Sequence, residues 1–159
     1  MKISCVIPAY NEESTIVNVI VNVKKVRTID EIIVVDDGSK DKTFKLASEL
    51  GVNVIKHREN KGKGAAIKTG IANAQGDIIL FLDADLYSIS PKKIASMLQP
   101  LEADEADFVK ASFTRARGRV TELVVKPLLN VILPLIKFNQ PLSGQFAIRK
   151  DLASELNIN

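Results

Sequence analysis

The chain is 159 residues long, about one domain, and large enough to bury a core of its own. Its 22 basic and 19 acidic residues leave a formal charge of +3, a surplus that keeps a surface soluble and does not point to nucleic acid. Aromatic residues are few and Trp is absent, which argues against base-stacking platforms and aromatic-lined carbohydrate modules, and the lone cysteine, Cys5, excludes an internal disulfide.

At the N-terminus there is no basic leader with a long apolar stretch and a cleavage site. Ile3, Val6 and Ile7 run straight into Pro8 and a polar loop, so Lys2–Ile7 reads as a first strand, with Cys5 a buried inert thiol and the cytoplasm the default location. Ile16, Val19, Ile20 and Val23 follow at i, i+3, i+4 and i+7, the spacing of a helix with one apolar face. Glu31–Val35 is a continuous apolar run of the kind found in a strand covered on both sides. Lys42–Leu50 reads as a short helix stopped by Gly51, and Val52–Ile55 as the next strand. Lys63–Ala74 places Ile67, Gly70, Ile71 and Ala74 at helical spacing, Asp77–Leu82 is a fourth strand, and Pro91–Leu98 opens a helix with proline in its first turn. Ala106–Lys110 is the expected fifth strand. Val120–Phe138 is apolar but broken by Glu122, Lys126, Pro127, Asn130, Pro134 and Lys137, so it reads as a buried or interface helix and not as a membrane span.

Strands alternating with helices imply an α/β sandwich with a mainly parallel sheet. No repeat or low-complexity segment interrupts it; Arg115, Arg117 and Arg119 read as an active-site loop rather than a linker. In open α/β sheets, ligands sit beyond the carboxyl ends of the strands. Three polar clusters fall at such ends: Tyr10-Asn11-Glu12, Asp36-Asp37-Gly38-Ser39 and Asp83-Ala84-Asp85. All three are expected to face one crevice.

Asp83-Ala84-Asp85 closes the apolar run Ile78–Leu82, and two carboxylates one residue apart at a strand end call for a countercharge. Mg²⁺ or Mn²⁺ takes carboxylate oxygen and shares its coordination with phosphate. An ion there stabilises charge on a departing diphosphate. In Asp36-Asp37-Gly38-Ser39 the glycine permits a tight turn, and the carboxylates can accept hydrogen bonds from ribose hydroxyls or a uracil imide. The same residues equally read as a turn capping the next helix, with Ser39 or Asp41 at the N-cap. Lys61-Gly62-Lys63-Gly64 reads either as a phosphate cradle before a helix or as a solvated basic turn. It has neither P-loop nor G-x-G-x-x-G spacing.

Together Pro8-Ala9-Tyr10-Asn11-Glu12-Glu13, Val35–Ser39, Asn60–Gly64 and Leu82–Asp85 resemble the motifs of GT-A glycosyltransferases, in order and spacing. The remaining third narrows this. Gly118–Leu123, Lys126–Leu129 and Gln140–Gly144 resemble the retaining glucosyl-3-phosphoglycerate synthase family, whose patterns are R-V-T-E-L-V-A-R-P-L-L and Q-P-L-[SA]-G-E-Y-A. The resemblance implies a GT-A (Rossmann-like) α/β/α sandwich over residues 1–159, with a donor-binding half (1–110) and an acceptor-binding part (111–159). It implies a UDP-sugar donor, Mg²⁺ or Mn²⁺, and a small anionic acceptor such as 3-phosphoglycerate. Pro8, Ala9, Asn11 and Glu12 would line the uridine pocket, with Asp37 and Ser39 nearby and Lys63 on the donor side. Asp83 would contact the nucleotide and share the metal with Asp85. Gly118, Arg119, Val120 and Thr121 would bind the acceptor, and Leu142, Ser143 and Gly144 would flank the sugar. Independently, Val120, Leu123, Val124, Leu128 and Val131 fit helical spacing, so Gly118–Thr121 would present a helix N-terminus, a ready anion site.

The chain departs from that family in two places. Gln145 stands where the family has Glu, so any charge-dependent role there is altered. The family also continues well past the equivalent of Asn159, with a tail that normally supplies a histidine to the metal; His57, the one histidine, is not its equivalent. A fragment, a short form, and a site completed by a partner all fit this, and the apolar stretch to Phe138 would suit a homodimer interface or cover for a missing tail. The expected reaction is glucose transfer from UDP-glucose to 3-phosphoglycerate with retention, the metal and Lys63 stabilising the leaving diphosphate. One rival is an inverting polyprenyl-phosphate glycosyltransferase, which Asn60–Ala66 also resembles. The other is a catalytically silent nucleotide-sugar-binding module.

Overall fold

The computed structural model describes residues 1–111 and 144–155. The elements are β1 (Ile3–Ala9), α1 (Ile16–Lys24), β2 (Glu31–Asp36), α2 (Thr43–Glu49), β3 (Asn53–Lys56), α3 (Lys63–Asn73), β4 (Ile78–Phe81), α4 (Pro91–Glu102), β5 (Phe108–Lys110), β6 (Phe146–Arg149) and α5 (Lys150–Glu155). They build one sheet in the order β3-β2-β1-β4-β6-β5. The pairs β3–β2, β2–β1 and β1–β4 are parallel, whereas β6 runs antiparallel to both β4 and β5. The mainly parallel α/β/α expectation is met, and the five expected strands are found.

Alternate residues of a strand face opposite sides, and β1 is buried along its whole length because both sides are covered. Ile3, Cys5, Ile7 and Ala9 join the core beneath α1, α2 and α4, where Ile16, Val19, Ile20 and Val23 pack. Val6 joins Ile33, Val35, Ile79, Phe81 and Ile148 beneath α3 and α5. Gly70 lets α3 lie close to β1, since a Cβ at that position would run into the Val6 side chain. Among the described residues no helix is long and apolar enough to cross a membrane. The segment expected as a buried helix, Val120–Phe138, lies outside the described residues.

Three sequence expectations shift. β1 continues through Pro8 to Ala9 instead of stopping at Ile7. The Val6 carbonyl accepts from Leu82 N on the β4 side and the Ala9 carbonyl from Asp37 N on the β2 side. By alternation, the N–H that Pro8 lacks would point toward β4, and pairing with β4 ends at Val6↔Phe81. Proline therefore breaks no ladder there. Second, α4 runs on to Glu102 through Pro100, with Ser90 as its N-cap, accepting from Lys93 N at 3.4 Å. Third, β6 was not anticipated: Phe146–Arg149 is four residues long, and its pairing is with strands distant in sequence. Its register, Phe81↔Phe146, stacks the two rings at 4.5 Å and brings Gln145 to the end of β4.

Candidate active site

β1 has β2 on one side and β4 on the other, and the chain leaves these two edges in opposite directions. This is the topological switch point, where the strand ends part and a crevice opens. A crevice of about 320 Å³ lies there, lined by Pro8, Ala9, Tyr10, Glu12, Asp37, Asn60, Lys63, Ala66, Asp83, Ala84 and Asp85. That size is at the low end for small-molecule sites, which run from roughly 300 to 1,000 Å³. The three polar clusters do converge on it.

One wall is the loop after β1, laced to the loop after β2. Asn11 takes up φ 56°, a left-handed conformation that asparagine tolerates. Its N–H donates to Ser39 Oγ at 2.9 Å, and its Oδ1 accepts from Lys40 N at 2.9 Å. Glu12 N donates to Thr43 Oγ1 at 2.7 Å and Glu13 N to Asp41 Oδ2 at 3.1 Å. Asn11 and Ser39 thus brace the two loops and are not among the residues lining the crevice. Ser39 is not the N-cap of α2, and neither is Asp41. The N-cap position is Lys42, and Asp41, one residue earlier, accepts from Thr43 N at 2.9 Å.

The aspartate pair divides its work. Asp36, on the last position of β2, is fully buried and cannot meet a ligand in the crevice, which corrects the expectation that both carboxylates could. Its Oδ1 accepts from Ser39 N at 3.3 Å, and Lys56 Nζ stands 3.9 Å from Oδ2. Asp37 lines the crevice. Its Oδ1 accepts from Lys61 N at 3.0 Å and from His57 Nδ1 at 2.6 Å, and its Oδ2 from Gly62 N at 2.8 Å. Burial raises this carboxyl's pKa, but the hydrogen bonds from Lys61, His57 and Gly62 and the charge of His57 outweigh it and hold the group below the usual carboxylate range. Gly62 is the N-cap of α3 at φ 88° and offers no side chain, so Asp37 caps that helix from another loop. Gly38, at φ 74°, permits the approach: a Cβ would stand 2.7 Å from Asn60 N.

The opposite wall carries the charges. Lys63, first residue of α3, donates to Asp83 Oδ1, and Gln145 Nε2 donates to Asp83 Oδ2. Gly144 closes over the same carboxylate; a Cβ there would stand 2.8 Å from Asp83 Cγ. Asp85 is exposed, and no hydrogen bond or ion pair among the described residues engages its carboxylate. Glu12 is pushed above the usual carboxylate range, first by burial and then by the negative field of Asp85, Asp41 and Asp83, against a hydrogen bond from Thr15. An unengaged carboxylate in a crevice with surplus negative charge fits a hard divalent cation such as Mg²⁺ or Mn²⁺. Among the described residues there is no group of three or more His, Cys, Asp or Glu side chains that could hold a metal ion by themselves.

Of the anticipated site residues, Pro8, Ala9, Glu12, Asp37, Lys63, Asp83 and Asp85 line the crevice, and Gly144 abuts it through Asp83. Gly118, Arg119, Val120, Thr121, Leu142 and Ser143 lie outside the described residues. Tyr10 and Ala84 line the crevice with the clusters that carry them; sequence reasoning missed only Asn60 and Ala66 as lining residues, though both flank its motifs. It also missed the donor role of Gln145 and the link from His57 to Asp37.

Residues 4–150 match Glycosyl transferase family 2. Glucosyl-3-phosphoglycerate synthase from Petrotoga mobilis is 35% identical over 181 residues, covering 98% of this chain and 56% of that protein. Dolichol-phosphate mannosyltransferase from Pyrococcus furiosus is 30% identical over 174 residues, covering 100% of this chain and 49% of the other. Among solved structures, glucosyl-3-phosphoglycerate synthase from Mycobacterium tuberculosis, in complex with Mn²⁺, UDP-glucose and phosphoglyceric acid, matches with a TM-score of 0.88 at 38% identity. That match covers 95% of this chain and 57% of the other. The chain spans about half the length of these relatives. Its fold is that of the GT-A glycosyltransferases, and with the family matched across nearly all of its length, the chain belongs to glycosyl transferase family 2.

Proposed function

We propose that the chain transfers glucose from UDP-glucose to the hydroxyl of 3-phosphoglycerate, with retention of the anomeric configuration, as a cytoplasmic enzyme dependent on Mg²⁺ or Mn²⁺. The observation that carries this is the unengaged Asp85 carboxylate beside the Lys63–Asp83–Gln145 clasp, at the switch point of the sheet. Residues 1–110 form the donor half in this reading and 111–159 the acceptor part. Pro8, Ala9, Glu12 and Asp37 take the uridine, while Asn11 and Ser39 brace the loop that carries Glu12. Asp83 orients the nucleotide, and Asp85 holds the metal with Asp83 beside it. When bound, the ion neutralises charge on the diphosphate. Lys63, at the positive end of α3, meets the same developing charge on the leaving group. Gly118, Arg119, Val120 and Thr121 receive the phosphate and carboxylate of the acceptor, and Leu142, Ser143 and Gly144 flank the sugar. The Mycobacterium tuberculosis enzyme, bound to Mn²⁺, UDP-glucose and phosphoglyceric acid, supports the choice of donor and acceptor.

The test is incubation of the chain with UDP-glucose, Mg²⁺ and 3-phosphoglycerate, with the product and its anomer identified by NMR. An α-linked glucosyl phosphoglycerate is expected, and Asp85→Ala should abolish its formation, a loss of at least about 10²-fold, with the melting temperature unchanged. An inverted product, or transfer only to a polyprenyl phosphate, would replace this reading with the lipid-phosphate one. UDP-sugar binding without turnover on any acceptor would mark a silent binding module.

A further inference from the structure

We infer that His57 is a positioning residue for the nucleotide end of the crevice: its imidazole, fixed by Thr69, sets the Asp37 carboxylate and through it the start of α3. The inference rests on the donor reading above only for its nucleotide readout. His57 follows β3 directly, and its backbone N donates to the Asp36 carbonyl at 2.9 Å, continuing the ladder. The side chain is 10% exposed and has a partner on each edge: Nδ1 lies 2.6 Å from Asp37 Oδ1, and Nε2 lies 2.9 Å from Thr69 Oγ1 on α3. A carboxylate only accepts, so Nδ1 carries the proton toward Asp37. One flat ring thus joins the end of β2, the end of β3 and the second turn of α3.

The consequence falls on Asp37. Of about four acceptor positions on a carboxylate, His57, Lys61 N and Gly62 N take three, leaving one on Oδ2 for a donor in the crevice. Without the ring, the carboxylate keeps only the two backbone donors and can rotate off them. Lys61 N then loses Asp37 and Gly62 N keeps only Asn60 Oδ1, at 3.1 Å, so the cap that holds Lys63 toward Asp83 loosens. His57 itself does not line the crevice, so it acts through Asp37 alone.

Two variants separate the ring's edges. In His57→Asn the amide nitrogen stands near the position of Nδ1 and keeps a donor toward Asp37. In His57→Gln it stands near Nε2, keeping the contact with Thr69 but not the one with Asp37. The dissociation constant for UDP, measured by calorimetry with Mg²⁺ and no acceptor, is expected to rise about 10-fold in His57→Gln and to stay within about 2-fold in His57→Asn. Amide exchange at Lys61 and Gly62, followed by NMR without nucleotide, should quicken in His57→Gln alone. In an Asp37→Asn background, His57→Gln should add nothing. Equal effects of the two variants on both readouts, or an undiminished penalty in that background, overturn the inference. Should neither variant fold, the ¹⁵N shifts of the wild-type imidazole decide: a proton on Nδ1 supports the inference, and a ring protonated at Nε2 alone overturns it. If the wild-type chain binds no UDP, the donor reading fails, while exchange at Lys61 and Gly62 still decides the role of His57.

Discussion

Asp83 is pulled from two sides, by the ammonium of Lys63 and by the amide of Gln145, and the second of these is a neutral donor where the resembling family has an acid. Gln145→Glu would replace a hydrogen bond to a charged group, worth about 1.5–3 kcal/mol, with a like-charge contact. The variant should melt several degrees lower than wild type in chelator and recover part of the difference in Mg²⁺. Equal melting temperatures in chelator, or an identical Mg²⁺ response in both proteins, would contradict this. At this scale the sequence was legible where a polar residue ends an apolar run. Asp37, Asp83 and Asp85 each follow a buried strand, and the strand's direction alone sends them to the crevice. Asn11 and Ser39 enter the expected set through their motifs alone, because a loop has no periodicity to say which way a side chain points; the bond between them shows only in the fold. His57 was opaque for another reason: its meaning lies in Asp37 and Thr69, twenty and twelve positions away.

Among the elements, α3 matters most, because it carries Lys63 at its start and lies against β1 through Gly70. The methyl of Gly70→Ala would press on Val6, a stiff side chain with no room beneath it. Overpacking of this kind costs about 1–3 kcal/mol. The expected outcome is a lower denaturation midpoint together with weaker UDP binding, since a helix lifted from β1 carries Lys63 away from Asp83. A stability loss with UDP affinity intact would show that the helix tilts about its first turn. The regular elements were legible because their signals are local: the i, i+3, i+4, i+7 face of α1 and the apolar runs of β2 and β4 declare themselves within one window. β6 did not, being a four-residue strand whose partners, β4 and β5, lie far off in sequence.

At the scale of the whole molecule, the carboxyls of the β1 and β2 loops tie stability to acidity. Asp37 and Asp41 both titrate below their ordinary range; for each, burial is outweighed by hydrogen bonds, from Lys61, His57 and Gly62 to Asp37 and mainly from Thr43 to Asp41. Groups lowered by folding stabilise the native state fully above their unfolded value, about pH 4, and lose that contribution as pH falls through the folded value. Glu12 has the opposite sign: raised by burial and by its acidic neighbours, it favours the fold at low pH and loses that as pH rises through its folded value. The melting temperature should therefore change little, or rise slightly, from pH 7 to about 4.5 and fall steeply below about pH 4. Asp37→Asn should flatten the lower limb, and an identical steep limb in that variant would count against the assignment.

The antiparallel return of β6 has an outcome for how such a chain can diversify. What stands beside Asp83 is dictated by the pairing of Phe146 with Phe81, and not by how many residues come before it. No member of the Lys63–Asp83–Gln145 clasp comes from the stretch between residues 111 and 144. On the proposed function, that stretch belongs to the second substrate. On that division, substitutions in that stretch leave the partners of Asp83 as they are, and a substitution at Gln145 changes them without moving the strand.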